Sequence, residues 1–179
     1  MPESKGVRFM ARIESTEQLL AQIVAREVTV SETKDKEGEV KKTETLVQGV
    51  STVDYAKAGV NLDVLASTEH VVPIAEAMAE NGFFVEAVTG VDWIKDDQME
   101  VIYDYNRMDK EPCRVAVRVR IARSAPAIPT ISSIHPGANW HERETHDFFG
   151  IKFQGHPDLS PILLPEDADF HPLLKDFKP

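Results

Sequence analysis

The residues with the clearest potential for chemistry are histidines and carboxylates near the C-terminus. Five of the six histidines lie between His135 and His171, interspersed with acidic residues. Imidazole and carboxylate groups are common ligands of zinc and other transition metals. A small metal-dependent enzyme that uses the His and Glu residues of 135–156 is therefore one functional hypothesis.

The spacing within this cluster argues against a zinc-protease motif. The H-E-x-x-H motif places two histidines four residues apart on one helical face. Here His141 and His146 are five apart, so on a regular helix they point about 140° away from each other. Glu142 and His146 are four apart, but no third ligand stands at a recognisable spacing. We therefore expect no metal ion and no other cofactor to be bound by this chain.

Other catalytic and binding chemistries lack their residues. A single cysteine, Cys113, excludes a disulfide framework and a cysteine-ligated iron–sulfur cluster within this chain. No glycine-rich nucleotide loop and no G-x-S-x-G nucleophile motif occurs. The net charge of −10 disfavours nucleic acid as a partner, and no apolar run reaches the ~20 residues that direct membrane insertion needs. These exclusions favour a non-catalytic binding or assembly domain, without catalytic residues.

Hydrophobic periodicity predicts an α+β domain over residues 1–154, with two layers and the helices on one face of a mixed sheet. Ser15 and Gln18 form a capping-box pattern that predicts a helix start at Ser15. A second helix is predicted from Ser67 to Gly82. The charged run 34–42 is predicted to be a solvated hairpin tip. The predicted strands cover residues 27–33, 43–50, 60–64, 83–91, 99–106, 113–122 and 130–134.

The strand at 113–122 has one apolar face and one basic face. Arg114, Arg118 and Arg120 alternate with valines and Ile121. The basic row is either a solvated face paired with neighbouring acids or a docking stripe for an acidic partner.

An extended, proline-rich arm is predicted after the domain, over residues 155–179. Five of the eleven prolines fall in this segment, and this density excludes a helix or a central strand. The arm is too apolar for an ordinary disordered tail. We therefore expect it to lie in a groove, either on its own domain or on another protein.

A helix predicted from Asn139, as N-cap, to Phe149 combines charged and aromatic residues. Arg143 and Asp147 are four apart and are predicted to pair along one face. Trp140, Glu144 and Phe148 share another edge. This composition indicates a helix with core on one side and a protein partner on the other.

Residues 139–159 resemble the signature of the thirty-kilodalton subunit family of respiratory complex I, which also occurs in related membrane-bound hydrogenases. Ile162–Pro165 resemble the continuation of that signature, whereas Ser160 and Pro161 stand where the family usually carries basic residues. The positions that match in register are Glu142, Arg143, Glu144, Asp147, Gly150, Ile151, Phe153, Gly155, His156, Pro157, Asp158 and Leu159.

The resemblance implies a non-catalytic structural and assembly subunit of the hydrophilic arm of a complex I-like NADH–quinone oxidoreductase. It implies docking on the large quinone-site subunit, the small iron–sulfur subunit and other hydrophilic-arm subunits, with iron–sulfur clusters and flavin or nickel–iron held by those partners. The alternative is the equivalent subunit of a membrane-bound nickel–iron hydrogenase or of a relative with another electron donor.

The implied location is the cytoplasmic face of the cell membrane, peripheral through the complex. The residues expected to contact partners are Trp140, Glu142, Arg143, Glu144, Asp147, Phe148, Gly155, His156, Pro157, Asp158, Leu159, Ile162, Leu163 and Leu164.

Overall fold

A computed structural model describes residues 5–34, 40–108 and 112–178. Four helices and eight strands alternate along this part of the chain. The helices are α1 (Lys5–Ile23), α2 (Tyr55–Ala58), α3 (Val71–Glu80) and α4 (Ala138–Phe149). The strands are β1 (Glu27–Lys34), β2 (Val40–Thr52), β3 (Leu62–Ala66), β4 (Phe84–Trp93), β5 (Gln98–Arg107), β6 (Cys113–Ala122), β7 (Ala127–Pro129) and β8 (Lys152–Gln154).

Six strands form one mixed sheet in the order β1-β2-β3-β6-β5-β4. β3 and β6 are parallel, and the other neighbouring pairs are antiparallel. β7 and β8 form a separate parallel pair. The predicted fold class, α+β with a mixed sheet, is confirmed.

The core lies on one face of this sheet because β6 alternates strictly. Val115, Val117 and Val119 are buried on the inner face, and successive side chains of a strand point to opposite faces. Helices α1 and α3 cover that face, with Leu20 and Met78 fully buried among the strand residues. Burying such a side chain stabilises the fold by about 1.5–3 kcal/mol.

Helix α1 begins at Lys5, ten residues before the predicted start. The capping box at Ser15 is therefore wrong. The hydroxyls of Ser15 and Thr16 both donate to the Arg12 carbonyl at 2.9 Å, a bond that these residues make inside a helix. A hydroxyl pattern that resembles a cap is thus satisfied within a continuing helix.

The charged run 34–42 joins β1 to β2, and residues 35–39 of it lie outside the described residues. On either side of the gap the two strands are antiparallel, with Lys34 opposite Val40.

The predicted strand at 130–134 is wrong. The strand in this region is β7, which ends at Pro129. After it, Ile134 and His135 both donate their backbone N–H to the Ile131 carbonyl, at 3.0 and 2.8 Å, which closes a turn. The Ile131 N–H donates to the side chain of Glu142 on α4 at 2.8 Å. A tertiary hydrogen bond thus replaces the strand pairing that local pattern favoured.

Helix α4 begins one residue before the predicted N-cap Asn139, and its N-cap is Gly137. It ends as predicted, at Gly150, which has φ 73° and donates its N–H to the His146 carbonyl. Only glycine adopts this left-handed conformation without steric cost.

Helix α4 packs closely on β4 because Gly90 has no side chain. A Cβ placed there would lie 2.7 Å from Cδ2 of Phe149 and 3.0 Å from Cγ2 of Thr145. We expect Gly90→Ala to lower the free energy of unfolding by about 1–3 kcal/mol, the usual cost of overpacking. Chemical denaturation measures this loss. Gly137→Ala is the matched control, since a Cβ there meets nothing within 4 Å; equal effects of the two variants would contradict the close-packing explanation.

Candidate docking surface

One edge of α4 remains uncovered by the rest of the chain. Trp140 is 63% exposed, Glu144 is exposed and Phe148 is half-buried. The Arg143 guanidinium lies 5.4 Å from the centre of the Trp140 ring, a distance that allows a cation–π contact. A groove of about 350 Å³ lies beside this edge, lined by Glu144 and Phe148 of α4, Thr89 of β4 and Leu173.

The opposite face of α4 is held inside the chain by Glu142. Its side chain is fully buried. Its Oε1 accepts the Ile131 N–H at 2.8 Å, and its Oε2 accepts a short hydrogen bond from the Thr130 hydroxyl. Burial raises the pKa of Glu142 to about 7, although these two donors oppose the rise. Glu142 therefore fastens the segment after β7 to α4.

Asp147 fastens the C-terminal arm, residues 155–179, to the same helix. Its Oδ2 accepts the backbone N–H groups of Ile162, Leu163 and Leu164 at 2.9, 2.8 and 3.3 Å. Burial alone raises the pKa of Asp147, but these three donors outweigh it and the net pKa is lowered.

The predicted ion pair between Arg143 and Asp147 is wrong because both side chains bind the arm instead. The guanidinium of Arg143 donates to the carbonyl of Ser160 at 3.0 Å, to its hydroxyl at 2.9 Å and to the Pro161 carbonyl at 3.3 Å. It also lies 4.0 Å from a carboxylate oxygen of Asp158. The four-residue spacing allows the pair, but the arm supplies closer partners.

The rest of the arm follows α4 to the end of the sheet. His171 bonds through Nδ1 to the Asp147 carbonyl at 2.8 Å, and Leu173 donates its N–H to the Phe148 carbonyl at 3.2 Å. Lys175 donates its backbone N–H to Asp92 Oδ2 at 2.8 Å. Of the two interpretations of the arm, the structure favours a groove on its own domain.

The arm nevertheless leaves apolar side chains exposed. Leu163 is 58% exposed and Leu173 is 49% exposed. At 100° per residue, Asp147 lies about 20° to one side of Trp140 on the helix and Phe148 lies about 80° to the other. Leu163 and Leu173, which bond to these two residues, therefore flank the exposed edge. We call Trp140, Glu144, Phe148, Leu163 and Leu173 the candidate docking surface.

The remaining predicted contact residues divide into exposed and enclosed positions. Gly155, Pro157 and Asp158 are exposed. Leu159, Ile162 and Leu164 are half-buried. The side chain of His156 is fully buried. Its Nδ1 accepts the Asp158 N–H at 3.1 Å and its Nε2 bonds to the Asn139 carbonyl at 3.3 Å.

The histidines bond to backbone carbonyls and do not converge on a common point. His146 Nδ1 bonds to the Ile151 carbonyl at 2.9 Å, and His135 Nε2 bonds to the Ala75 carbonyl at 3.0 Å. In residues 5–34, 40–108 and 112–178, no group of three or more His, Cys, Asp or Glu is placed to hold a metal ion. The metal-enzyme hypothesis gains no support from this part of the chain.

The basic row on β6 is paired with acids of this chain. Arg114 lies 2.5 Å from a carboxylate oxygen of Glu86, and Arg118 lies 2.7 Å from one of Asp63. Arg120 lies 3.3 Å from Asp96 and 4.5 Å from the centre of the Trp93 ring. The structure therefore favours the solvated, internally paired face over a docking stripe.

Comparison with known proteins assigns the chain to a family. Residues 64–179 match the family described as respiratory-chain NADH dehydrogenase, 30 Kd subunit. The chain belongs to this family. The match includes α4, the arm and all five residues of the candidate docking surface, and it confirms the resemblance seen in residues 139–159.

Curated relatives of this thirty-kilodalton subunit carry the name of the C subunit of NADH-quinone oxidoreductase. The one from Roseiflexus castenholzii is 37% identical over 121 residues, which is 65% of this chain and 69% of the relative. The one from Mycobacteroides abscessus is 34% identical over 150 residues, 77% of this chain and 66% of the relative. For the one from Chlorobium phaeobacteroides, at 40% identity, the match spans 57% of the relative.

Two solved structures share the fold of this thirty-kilodalton-family chain. A chain in the structure of the membrane-bound sulfane sulfur reductase, an archaeal respiratory membrane complex, has a TM-score of 0.66 at 22% identity and covers 94% of this chain and 86% of its own length. The trypsin-resistant fragment (1–134) of Nqo5 has a TM-score of 0.50 at 22% identity, covering 87% and 100%. Neither α1 nor any other helix of the described ranges is long and apolar enough to cross a membrane.

Sequence reasoning missed the contacts that hold the arm in place. Leu173, Asp92 and Thr130 were not among the predicted site residues. Asp92 and the Lys175 N–H are 83 positions apart, so no local spacing links them. For Thr130, the adjacent prolines signalled an irregular segment, but not its hydroxyl's bond to Glu142.

Proposed function

We propose that this chain is a non-catalytic structural and assembly subunit in the hydrophilic arm of a complex I-like NADH–quinone oxidoreductase. In this role it docks on the large quinone-site subunit and on the adjacent small iron–sulfur subunit, beside other hydrophilic-arm subunits. Membership of the thirty-kilodalton family supports the assembly. The names of the relatives supply the reaction of the whole complex.

The observation that carries the proposal is the candidate docking surface. An indole that is 63% exposed, between two leucines that are about half exposed, is costly to leave in water. Tryptophan is also enriched among the residues that dominate binding energy at interfaces. The helix beneath is fixed by Glu142, and the arm beside it by Asp147, so the surface is rigid before binding. A pre-ordered surface loses less entropy on association.

The cofactors of the assembly reside in the partners under this proposal. Iron–sulfur clusters, and flavin or nickel–iron, are held by other subunits, while this chain positions them. Cys113, the single cysteine, is buried, which agrees with a chain that ligates no cluster. The chain then lies at the cytoplasmic face of the membrane through its complex.

The second candidate is the equivalent subunit of a membrane-bound nickel–iron hydrogenase or of a relative with another electron donor. Ser160 and Pro161 favour it, since they stand where the family usually carries basic residues. Both bond to Arg143 in this chain.

Affinity purification of the tagged chain from gently solubilised membranes separates these candidates. Co-purification of flavin- and NADH-binding subunits supports the NADH–quinone oxidoreductase. Co-purification of a large subunit with paired Cys-x-x-Cys nickel ligands supports the hydrogenase. A chain recovered without other subunits would contradict both.

Trp140→Ala tests the docking surface itself. We expect loss of about 2 kcal/mol or more of binding energy, which is a drop in affinity of roughly 30-fold, with little change in melting temperature because the side chain is exposed. Quantitative mass spectrometry of the co-purified subunits measures the loss. Lys57→Ala, at an exposed position on α2, is the control. If both variants retained the partners equally, the surface would be wrongly placed.

A further inference from the structure

Glu142 is a buried carboxyl group without a cation in hydrogen-bonding contact. Its side chain and that of His156 are both fully buried, with Nε2 of His156 3.8 Å from Glu142 Oε2. His156 accepts an N–H at Nδ1 and faces the Asn139 carbonyl with Nε2, so these bonds suit the neutral ring with its proton on Nε2. An ionised carboxylate in such surroundings is costly, because burial without a paired charge disfavours the charged form.

Two hydroxyl groups connect this carboxyl group to the surface of the 130–132 segment. Thr130 Oγ1 contacts Glu142 Oε2 directly and lies 2.9 Å from Ser132 Oγ. The Ser132 N–H also donates to Thr130 Oγ1 at 3.1 Å. Ser132 is 8% exposed, so the chain of hydroxyls runs from a fully buried oxygen to one near solvent.

A hydroxyl both donates and accepts, so this chain can serve either protonation state of Glu142. When the carboxylate is ionised, Thr130 donates to Oε2 and accepts from Ser132. When Oε2 carries a proton, it donates to Thr130, which then donates to Ser132. The net difference between the two states is one proton on Glu142, taken from solvent, and every hydroxyl keeps a partner in both.

We propose that Glu142 binds and releases a proton while it stays buried, with the Thr130–Ser132 hydroxyl pair reversing its direction of donation. The site takes a proton as its ligand and is independent of the docking role. The pKa of Glu142, raised by burial to about 7, agrees with uptake near neutral pH.

Other titratable groups around Glu142 carry their proton differently. Tyr103 and Tyr105 on β5 lie on its inner side, and burial raises the pKa of both hydroxyls, with the Glu142 charge adding to the rise. His135 packs edge-on against Tyr105, and burial lowers its pKa. Protonation of His135 on acidification would destabilise the fold, whereas protonation of Glu142 stabilises it, so the two have opposite signs.

Infrared spectroscopy of the purified full-length chain tests the site directly. Exposed carboxyl groups are ionised above about pH 5.5, so a protonated carboxylic-acid C=O band at pH 6 identifies a buried acid. We expect this band in the wild type, a loss of the band as the pH rises through about 7, and its absence in Glu142→Gln. Absence of the band in the wild type, or its persistence in Glu142→Gln, would overturn the proposal.

Ser132→Ala tests the hydroxyl chain and does not depend on the folding of Glu142→Gln. It removes the acceptor that Thr130 needs in the protonated state, while the ionised state keeps the Ser132 N–H. We therefore expect the midpoint of the band to fall by about half a pH unit to one unit. Ser133→Ala changes the neighbouring exposed serine and should leave the midpoint in place. Equal midpoints in the two variants would rule out the chain of hydroxyls.

Discussion

Replacing Asp147 by alanine is expected to detach the beginning of the arm from α4. Three backbone N–H groups donate to its Oδ2, and hydrogen bonds to a charged acceptor are each worth about 1.5–3 kcal/mol. Because they share one oxygen their energies do not add, and we expect a total loss of about 3 kcal/mol. Chemical denaturation at pH 7 measures it, and amide hydrogen exchange at residues 162–164 locates it.

Glu144→Ala is the matched control for Asp147→Ala. It removes the same charge from the same helix, but Glu144 is exposed. We expect its free energy of unfolding to stay within about 0.5 kcal/mol of the wild type, with exchange at residues 162–164 unchanged. The role of Asp147 would have to be abandoned if the two variants lost equal stability or if residues 162–164 stayed protected in Asp147→Ala.

The elements that the sequence predicted well are those whose signal is local. β6 runs from Cys113 to Ala122 as predicted, because its alternation of valine and arginine matches the two-residue period of a strand. Helix α4 ends at Gly150 as predicted, because a left-handed terminal residue strongly favours glycine.

The failures lie where tertiary contacts override a local pattern. Ser15 resembles an N-cap, but α1 continues through it because Ile13 and Leu20 bury on both sides of it. The 130–134 segment has the apolar alternation of a strand. It turns instead because Glu142, twelve residues after Thr130, takes the hydroxyl of Thr130 and the N–H of Ile131.

The candidate site shows the same limit. The exposure of Trp140 and Glu144 followed from helical spacing alone. The spacing of Arg143 and Asp147 allowed a pair, but spacing cannot reveal that the arm offers Asp147 three N–H groups and Arg143 two carbonyl groups. Which contact forms depends on where a segment fifteen to eighteen positions away crosses the helix.

Two carboxyl groups of α4 therefore have opposite electrostatic environments. Glu142 is surrounded by neutral groups, and its pKa is raised. Asp147 has three N–H donors on one oxygen, and its pKa is lowered. The charge on Asp147 is thus available near neutral pH to hold the arm, whereas the state of Glu142 depends on pH. Burial on the same helix does not give the two acids the same role, because the number of donors differs.

The largest single loss of stability is expected for Asp92→Ala, at the far end of the arm. The side chain of Asp92 is fully buried and accepts two hydrogen bonds from Arg123, at 2.8 and 3.1 Å, and one from the Lys175 N–H. Removing one member of a buried ion pair leaves the other charge uncompensated and costs about 3–5 kcal/mol. Chemical denaturation at pH 7 measures the cost, and hydrogen exchange at residues 173–177 should increase.

The control and the pH dependence of Asp92→Ala follow from the same geometry. Asp176 lies 2.5 Å from Arg123 on its exposed side, so Asp176→Ala should change stability far less. Burial raises the pKa of Asp92, but Arg123 and the Lys175 N–H outweigh it and the net pKa is lowered. Its contribution is therefore complete above the ordinary pKa near 3.8 and is lost as the pH falls below it. The difference between wild type and Asp92→Ala should shrink below pH 4, and a difference that stayed constant to pH 2 would show that packing, not the charge of Asp92, holds the end of the arm.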